Sequence, residues 1–182
     1  MKSIIFPNIF FQGFNVYICT KFRIMETFID IKSGVGLGEL KFGFNRETLK
    51  EMLGEPDEVE QYSLSGDQDD QTESWHYDEL ELALSFIKVD DWRLVSLTTS
   101  SEESLFKGSE MIGLAKKDVK SELGKLGVTD LEIEDCSSAE SPNLKLMFSM
   151  TEGMNFWLEE GVVTDVEWGV RYNDDEEIAW PD

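Results

Sequence analysis

Side chains able to do chemistry are few in kind. The chain holds one histidine, His76, and two cysteines, Cys19 and Cys136. Any Ser-His-Asp arrangement would have to recruit His76, and no GxSxG elbow accompanies it. His76 lies between Trp75 and Tyr77, so on a strand it points to the face opposite those aromatics. A zinc site of the Cys/His kind fails on count, because no CxxC and no second histidine exist. Asp67-Gln68-Asp69-Asp70-Gln71 offers oxygen ligands for calcium. Counted from Asp67, however, the sixth and twelfth positions are Thr72 and Asp78, where an EF-hand loop needs glycine and a bidentate glutamate. Gly34-Val35-Gly36-Leu37-Gly38 matches neither a phosphate loop nor a dinucleotide fingerprint. The expectation is a protein with no catalytic residues, no metal and no cofactor, and not an enzyme.

Charge and aromatics are the stronger leads. The formal net charge is -22. Residues 1–42 hold 5 of the 16 basic and 3 of the 38 acidic residues, so the remaining chain carries a net of −24. Such a field disfavours nucleic acid and anionic lipid; it serves either solubility or the attraction of a basic protein. Trp157 stands between Phe156 and Leu158, which puts it on the face that alternation assigns to solvent. Trp180, beside Pro181 near the end of the chain, is also hard to bury. An exposed tryptophan in an acidic rim is a natural interface anchor. The candidate protein-binding residues are therefore Trp157, Glu159, Asp165 and Glu167.

These residues must be positioned by short elements. Leu49, Met52 and Leu53 share one helical face, Asn45 is a good N-cap, and Gly54 and Pro56 end the helix. A similar stretch runs from Gly113 to Gly124, with Gly124 as the second terminator. After each helix the apolar period becomes 2. Leu80, Leu82, Leu84 and Phe86 alternate in the first half. Leu144, Leu146 and Phe148, then Met154, Phe156 and Leu158, then Val166, Trp168, Val170 and Tyr172 alternate in the second. Alternation of this kind predicts antiparallel sheets with one apolar, covered face. Shorter strands are expected near Val59–Leu64 and Leu131–Asp135. The expected fold class is α+β: two divergent copies of a short helix followed by a three- or four-stranded antiparallel meander.

The expected organisation is an N-terminal segment, 1–35, a first helix-sheet unit, 36–104, and a second with an acidic tail, 105–182. Residues 1–24 are apolar but interrupted by Pro7, Asn8, Gln12 and Asn15. They read as a degenerate export signal, an extra strand or sequence upstream of the true start, with Met25 favoured as that start. With two cysteines and no disulfide framework, the expected location is cytoplasmic.

The order Gly43, Leu49, Leu53, Gly54, Pro56, then Trp75 and Tyr77, then a meander resembles the SmpA/OmlA-type module of outer-membrane assembly lipoproteins. It resembles equally the tandem repeats of the β-lactamase inhibitor protein fold. The second half lacks the proline and the Trp-x-Tyr strand. The acidic character is also similar to that of bacterial immunity proteins. Together these imply an acidic module that binds a basic protein, such as an immunity-type inhibitor of a basic toxin or enzyme. The alternatives are an envelope-assembly accessory of SmpA/OmlA type, or an enzyme of unknown type. A basic protein partner is expected, no nucleic acid, and no membrane unless Cys19 is lipidated.

Overall fold

A computed structural model describes residues 28–63 and 70–182. Residues 1–27 lie outside that description, and with them the readings placed on Cys19 and Met25. Residues 64–69 also lie outside it, and with them most of the Asp67–Gln71 loop.

Three short strands open the described chain: β1 (Asp30–Lys32), β2 (Gly36–Leu37) and β3 (Leu40–Lys41). Helix α1 (Arg46–Leu53) follows, then β4 (Glu58–Tyr62), β5 (Thr72–Tyr77), β6 (Leu82–Ile87) and β7 (Arg93–Thr99). Next come β8 (Leu105–Phe106), β9 (Ser109–Glu110) and helix α2 (Lys116–Lys125). The chain then runs through β10 (Leu131–Asp135), β11 (Lys145–Ser149), β12 (Met154–Glu159) and β13 (Val162–Gly169), and ends in a hairpin of β14 (Arg171–Tyr172) and β15 (Ile178–Ala179).

The strands assemble into one eight-stranded sheet in the order β10-β11-β12-β13-β7-β6-β5-β4, and a small sheet in the order β3-β2-β1-β8-β9. This overturns the expected fold class. Among the described residues the protein is mostly β, with two short helices, and is not an α+β pair of helix-sheet units. The physical reason is the seam: β13 pairs antiparallel with β7, with Val166 opposite Thr99 and Trp168 opposite Leu97. That pairing satisfies two edges that separate meanders would leave open. One core results. It joins Leu49 of α1, Val119 and Leu123 of α2, Trp75 and Phe86 from β5 and β6, Phe156 and Trp168 from β12 and β13, and Ile31 and Phe106 of the small sheet.

Local chemistry sets the helix ends. Asn45 Oδ1 accepts from the Thr48 N–H at 2.9 Å, and Gly54, at φ 88°, donates to Lys50 O at 2.9 Å. Gly124 does not end the second helix. It lies inside α2, and the turn falls at Gly127, φ 84°, while Val128 N–H reaches back to Leu123 O. Both helices are tied to the large sheet before they begin: Gly43 N–H donates to Leu94 O, and Gly113 N–H to Val163 O.

Three buried contacts lock the layers together. Trp168 Nε1 donates to Gly36 O at 3.1 Å across the core. Gly36 has φ 147°, and a Cβ there would meet Leu40 O at 1.8 Å, so only glycine fits. On the covered side of β5, Glu73 accepts from Gln61 Nε2 at 2.6 Å, Trp75 Nε1 at 2.7 Å and Arg46 Nη1 at 3.1 Å. Burial pushes the Glu73 carboxyl up, but these donors and the Arg46 charge together outweigh it and hold the group below its ordinary value. Arg46 in turn stacks 4.6 Å over Trp92. Tyr77 Oη donates to Gly54 O at 3.0 Å and so clamps the end of α1. Burial, then the negative Glu55 and Asp57, push the Tyr77 phenol up to about 12.

The tail is packed as well. Trp180 was expected exposed; it is half-buried, lying where a Cβ on Gly43 would come within 3.0 Å of its ring, with the Arg93 guanidinium 5.4 Å from the ring centroid.

Two tests follow from these contacts. Gly36→Ala should cost roughly 2–5 kcal/mol in urea unfolding, from strain plus the clash. Trp168→Phe, which keeps an aromatic side chain but removes the donor to Gly36 O and leaves part of the indole's volume empty, should cost about 2–4 kcal/mol. For Tyr77, the folded state favours the neutral phenol while the unfolded state ionises near its ordinary value of 10.0. Its contribution is therefore fully present below pH 10 and is lost as pH rises toward 12, by about 1–2 kcal/mol once solvent screening of the partly buried hydroxyl is allowed for. Tyr77→Phe should flatten that part of the stability–pH curve.

Candidate functional site: the open face of the large sheet

Both helices and the small sheet contribute to the core on one face of the large sheet. Among the described residues nothing covers the other face, and strand register lays out what it presents. One row of open-side residues crosses all eight strands: Glu132, Phe148, Asn155, Glu167, Thr98, Ala83, His76 and Glu58. Above it run Glu134, Leu146, Trp157 and Asp165. Below it run Gly169, Ser96, Ser85, Ser74 and Glu60. No lysine or arginine occurs in these three rows. Small residues occupy the middle strands and larger ones the flanks, so the face is hollow. Two concavities of about 530 Å³ lie on it. Glu167 lines both.

Trp157 is half-buried on this face. Its Nε1 donates to Glu167 Oε2 at 3.2 Å, and Asn155 Nδ2 donates to the same oxygen at 3.2 Å. Trp157 lies directly opposite Asp165. A bulge immediately after it shifts the register to Leu158 opposite Val163, and bulges re-aim side chains in this way. Trp157, Asp165 and Glu167 are thus brought together. Glu159 is not. It is exposed at the far end of β12 and lines a separate hollow with Glu140 and Asn143.

The wall at the other end is the β11–β12 turn. Asp130 pins it: its carboxylate accepts from Thr151 N–H at 2.8 Å and Ser149 Oγ at 2.7 Å. Those two donors hold the Asp130 carboxyl down at about 2. Glu152, in the same turn, pairs with Lys107 at 2.5 Å and Arg171 at 3.7 Å, which ties the small sheet and the tail to the site. Arg171 and Tyr172 line the same concavity as Phe148 and Asn155.

Sequence reasoning missed Leu146 and Phe148. Their alternation reads as core, yet their partners across the sheet are Trp157 and Asn155, and the buried residues of β11 are Met147 and Ser149. Glu132 and Glu134 of β10 were missed too. Met147 between Leu146 and Phe148 puts apolar residues on both faces of β11, but Lys145 and Ser149 share its parity, so the local pattern pointed to the wrong face. His76 lies in the open row, its Nε2 3.5 Å from Glu60 Oε2 and outside hydrogen-bond geometry. Among the described residues no group of three or more His, Cys, Asp or Glu is arranged to hold a metal ion.

No protein-family model and no curated protein matches the chain. A solved structure does: the crystal structure of an extracellular protein containing a SCP domain from Bacillus anthracis strain Ames. It is 15% identical with a TM-score of 0.42, and the match covers 70% of this chain and 43% of that one. Three expectations are corrected here. Nothing supports the SmpA/OmlA and β-lactamase-inhibitor resemblance, whose helix-plus-meander description also fails against the continuous sheet. Likeness to immunity proteins rested on acidity, which many folds share. The cytoplasmic location is withdrawn as well. The matching structure is of an extracellular protein, though so distant a likeness assigns this chain no compartment. Among the described residues the one cysteine, Cys136, is half-buried and free.

A residue kept for a surface role should be dispensable for folding. Trp157→Ala should therefore cost under about 1.5 kcal/mol in chemical denaturation, while Trp168→Ala costs about 3–5 kcal/mol.

Proposed function

We propose that the protein is a non-enzymatic binding module whose open sheet face captures a basic segment of another protein. The observation that carries this is the register itself. Six carboxylates (Glu58, Glu60, Glu132, Glu134, Asp165 and Glu167) share the open rows with Trp157, Leu146 and Phe148, and those rows hold no lysine or arginine; Arg171, at the rim of the concavity that Glu167 lines, pairs with Glu152. Asp165 and Glu167 are half-buried in the hollow, where a carboxylate attracts cations more strongly than in open water, and Glu58, Glu60, Glu132 and Glu134 stand exposed at its edges. Apolar side chains among them supply the affinity that charge alone lacks. The −22 net charge adds steering toward a basic partner.

The test is binding of a short polylysine peptide, read by calorimetry at several salt concentrations. Binding should weaken steeply between about 0.05 and 0.5 M salt as the Debye length shrinks. Combining Glu132→Gln, Glu134→Gln, Asp165→Asn and Glu167→Gln should lower affinity at least tenfold at low salt. The charge-matched control neutralises Asp174, Asp175, Glu176 and Glu177 in the tail and should change it less than threefold. Equal losses in both would mean that the overall field, and not the open face, does the binding.

A further inference from the structure

Within that reading, on which this inference rests, the shape of the partner segment can be argued. Open-face apolar residues are not scattered. Leu146 and Phe148 lie two residues apart on one side of β11. Met150 continues the run into the turn, where it is 78% exposed, and Trp157 stands beside Leu146 on β12. The open side of β11 is thereby an apolar strip, widened onto β12 at Trp157, with Asn155 the polar neighbour of Phe148. Carboxylates flank it on both sides: Glu132 and Glu134 on β10, Asp165 and Glu167 on β13.

We infer that this strip is a docking groove for a cationic amphipathic helix lying along β11 and β12. Three arguments converge. The first is hydrogen bonding. A sheet face offers side chains only, because the backbone groups of β11 and β12 are spent on their neighbours. An extended segment laid on it would leave its own backbone unpaired, whereas a helix satisfies its backbone internally. The second is width. From β10 to β13 is three strand spacings, about 14 Å, and a helix with its side chains is about 10–12 Å across. An apolar helical stripe would rest on β11 and β12 while its flanks met the two carboxylate rows. The third is charge, since those flanks would need Lys or Arg on both sides. Leu146 to Met150 spans about 13 Å along the strand, which matches two to three helical turns. Methionine and tryptophan suit such a groove, because both adapt to helices of differing sequence.

The probe is a synthetic 14-residue peptide with leucines at i, i+3, i+4 and i+7 and lysines on both flanks. Its control is the same peptide with one central residue replaced by proline. The helical peptide should bind at least tenfold more tightly than the control and gain helicity by circular dichroism. Phe148→Ser and, separately, Met150→Ser should each weaken the helical peptide several-fold and leave the control within twofold. The exposed Met150 guards against a folding artefact at Phe148. If both peptides bind equally and neither variant matters, the helix inference is overturned while the basic-partner reading stands. If neither peptide binds at low salt, the basic-partner reading itself fails.

Discussion

The pairing of β13 with β7 is the constraint on which the rest of the structure depends. Hydrogen bonding there makes one sheet out of strands from both halves of the chain. A single sheet has two faces. Both helices and the small sheet share one of them, and among the described residues the other has no covering layer. Trp168, one residue from the end of β13, ties that seam to the small sheet by donating to Gly36 O. The open face is thus a consequence of topology and not a local accident of composition.

Much of the strand content was readable from residue type. Leu82, Leu84 and Phe86 alternate and lie inward, as do Met154, Phe156 and Leu158. Short strands do occur near Val59 and Leu131, and Asn45 caps its helix through its side chain. What could not be read was assembly. Alternation marks which residues share a face but carries no information on which distant strand comes alongside, so the β7–β13 union was invisible and the fold class was misjudged. Helical periodicity was also overweighted: α1 spans 8 residues and α2 spans 10, against eight paired strands.

The site was legible only where one residue broke a pattern. Trp157 between Phe156 and Leu158 is such a break. β11 gave the opposite problem, because it is apolar on both faces and periodicity picked the wrong one. Glu159 shares the acidic character of Glu167 but not its position, and only register separates them. Trp180 looked free because it is terminal, and packing against Gly43 and Arg93 was beyond any local signal.

One measurement bears most directly on the central claim that the open face is the working surface: zero-length coupling of carboxylates to the amines of a bound lysine-rich peptide, mapped by mass spectrometry. Coupling concentrated at Glu132, Glu134, Asp165 and Glu167 is the predicted result. Coupling concentrated at the tail residues Asp174–Glu177, or at Glu47 and Glu51 on α1, would contradict it.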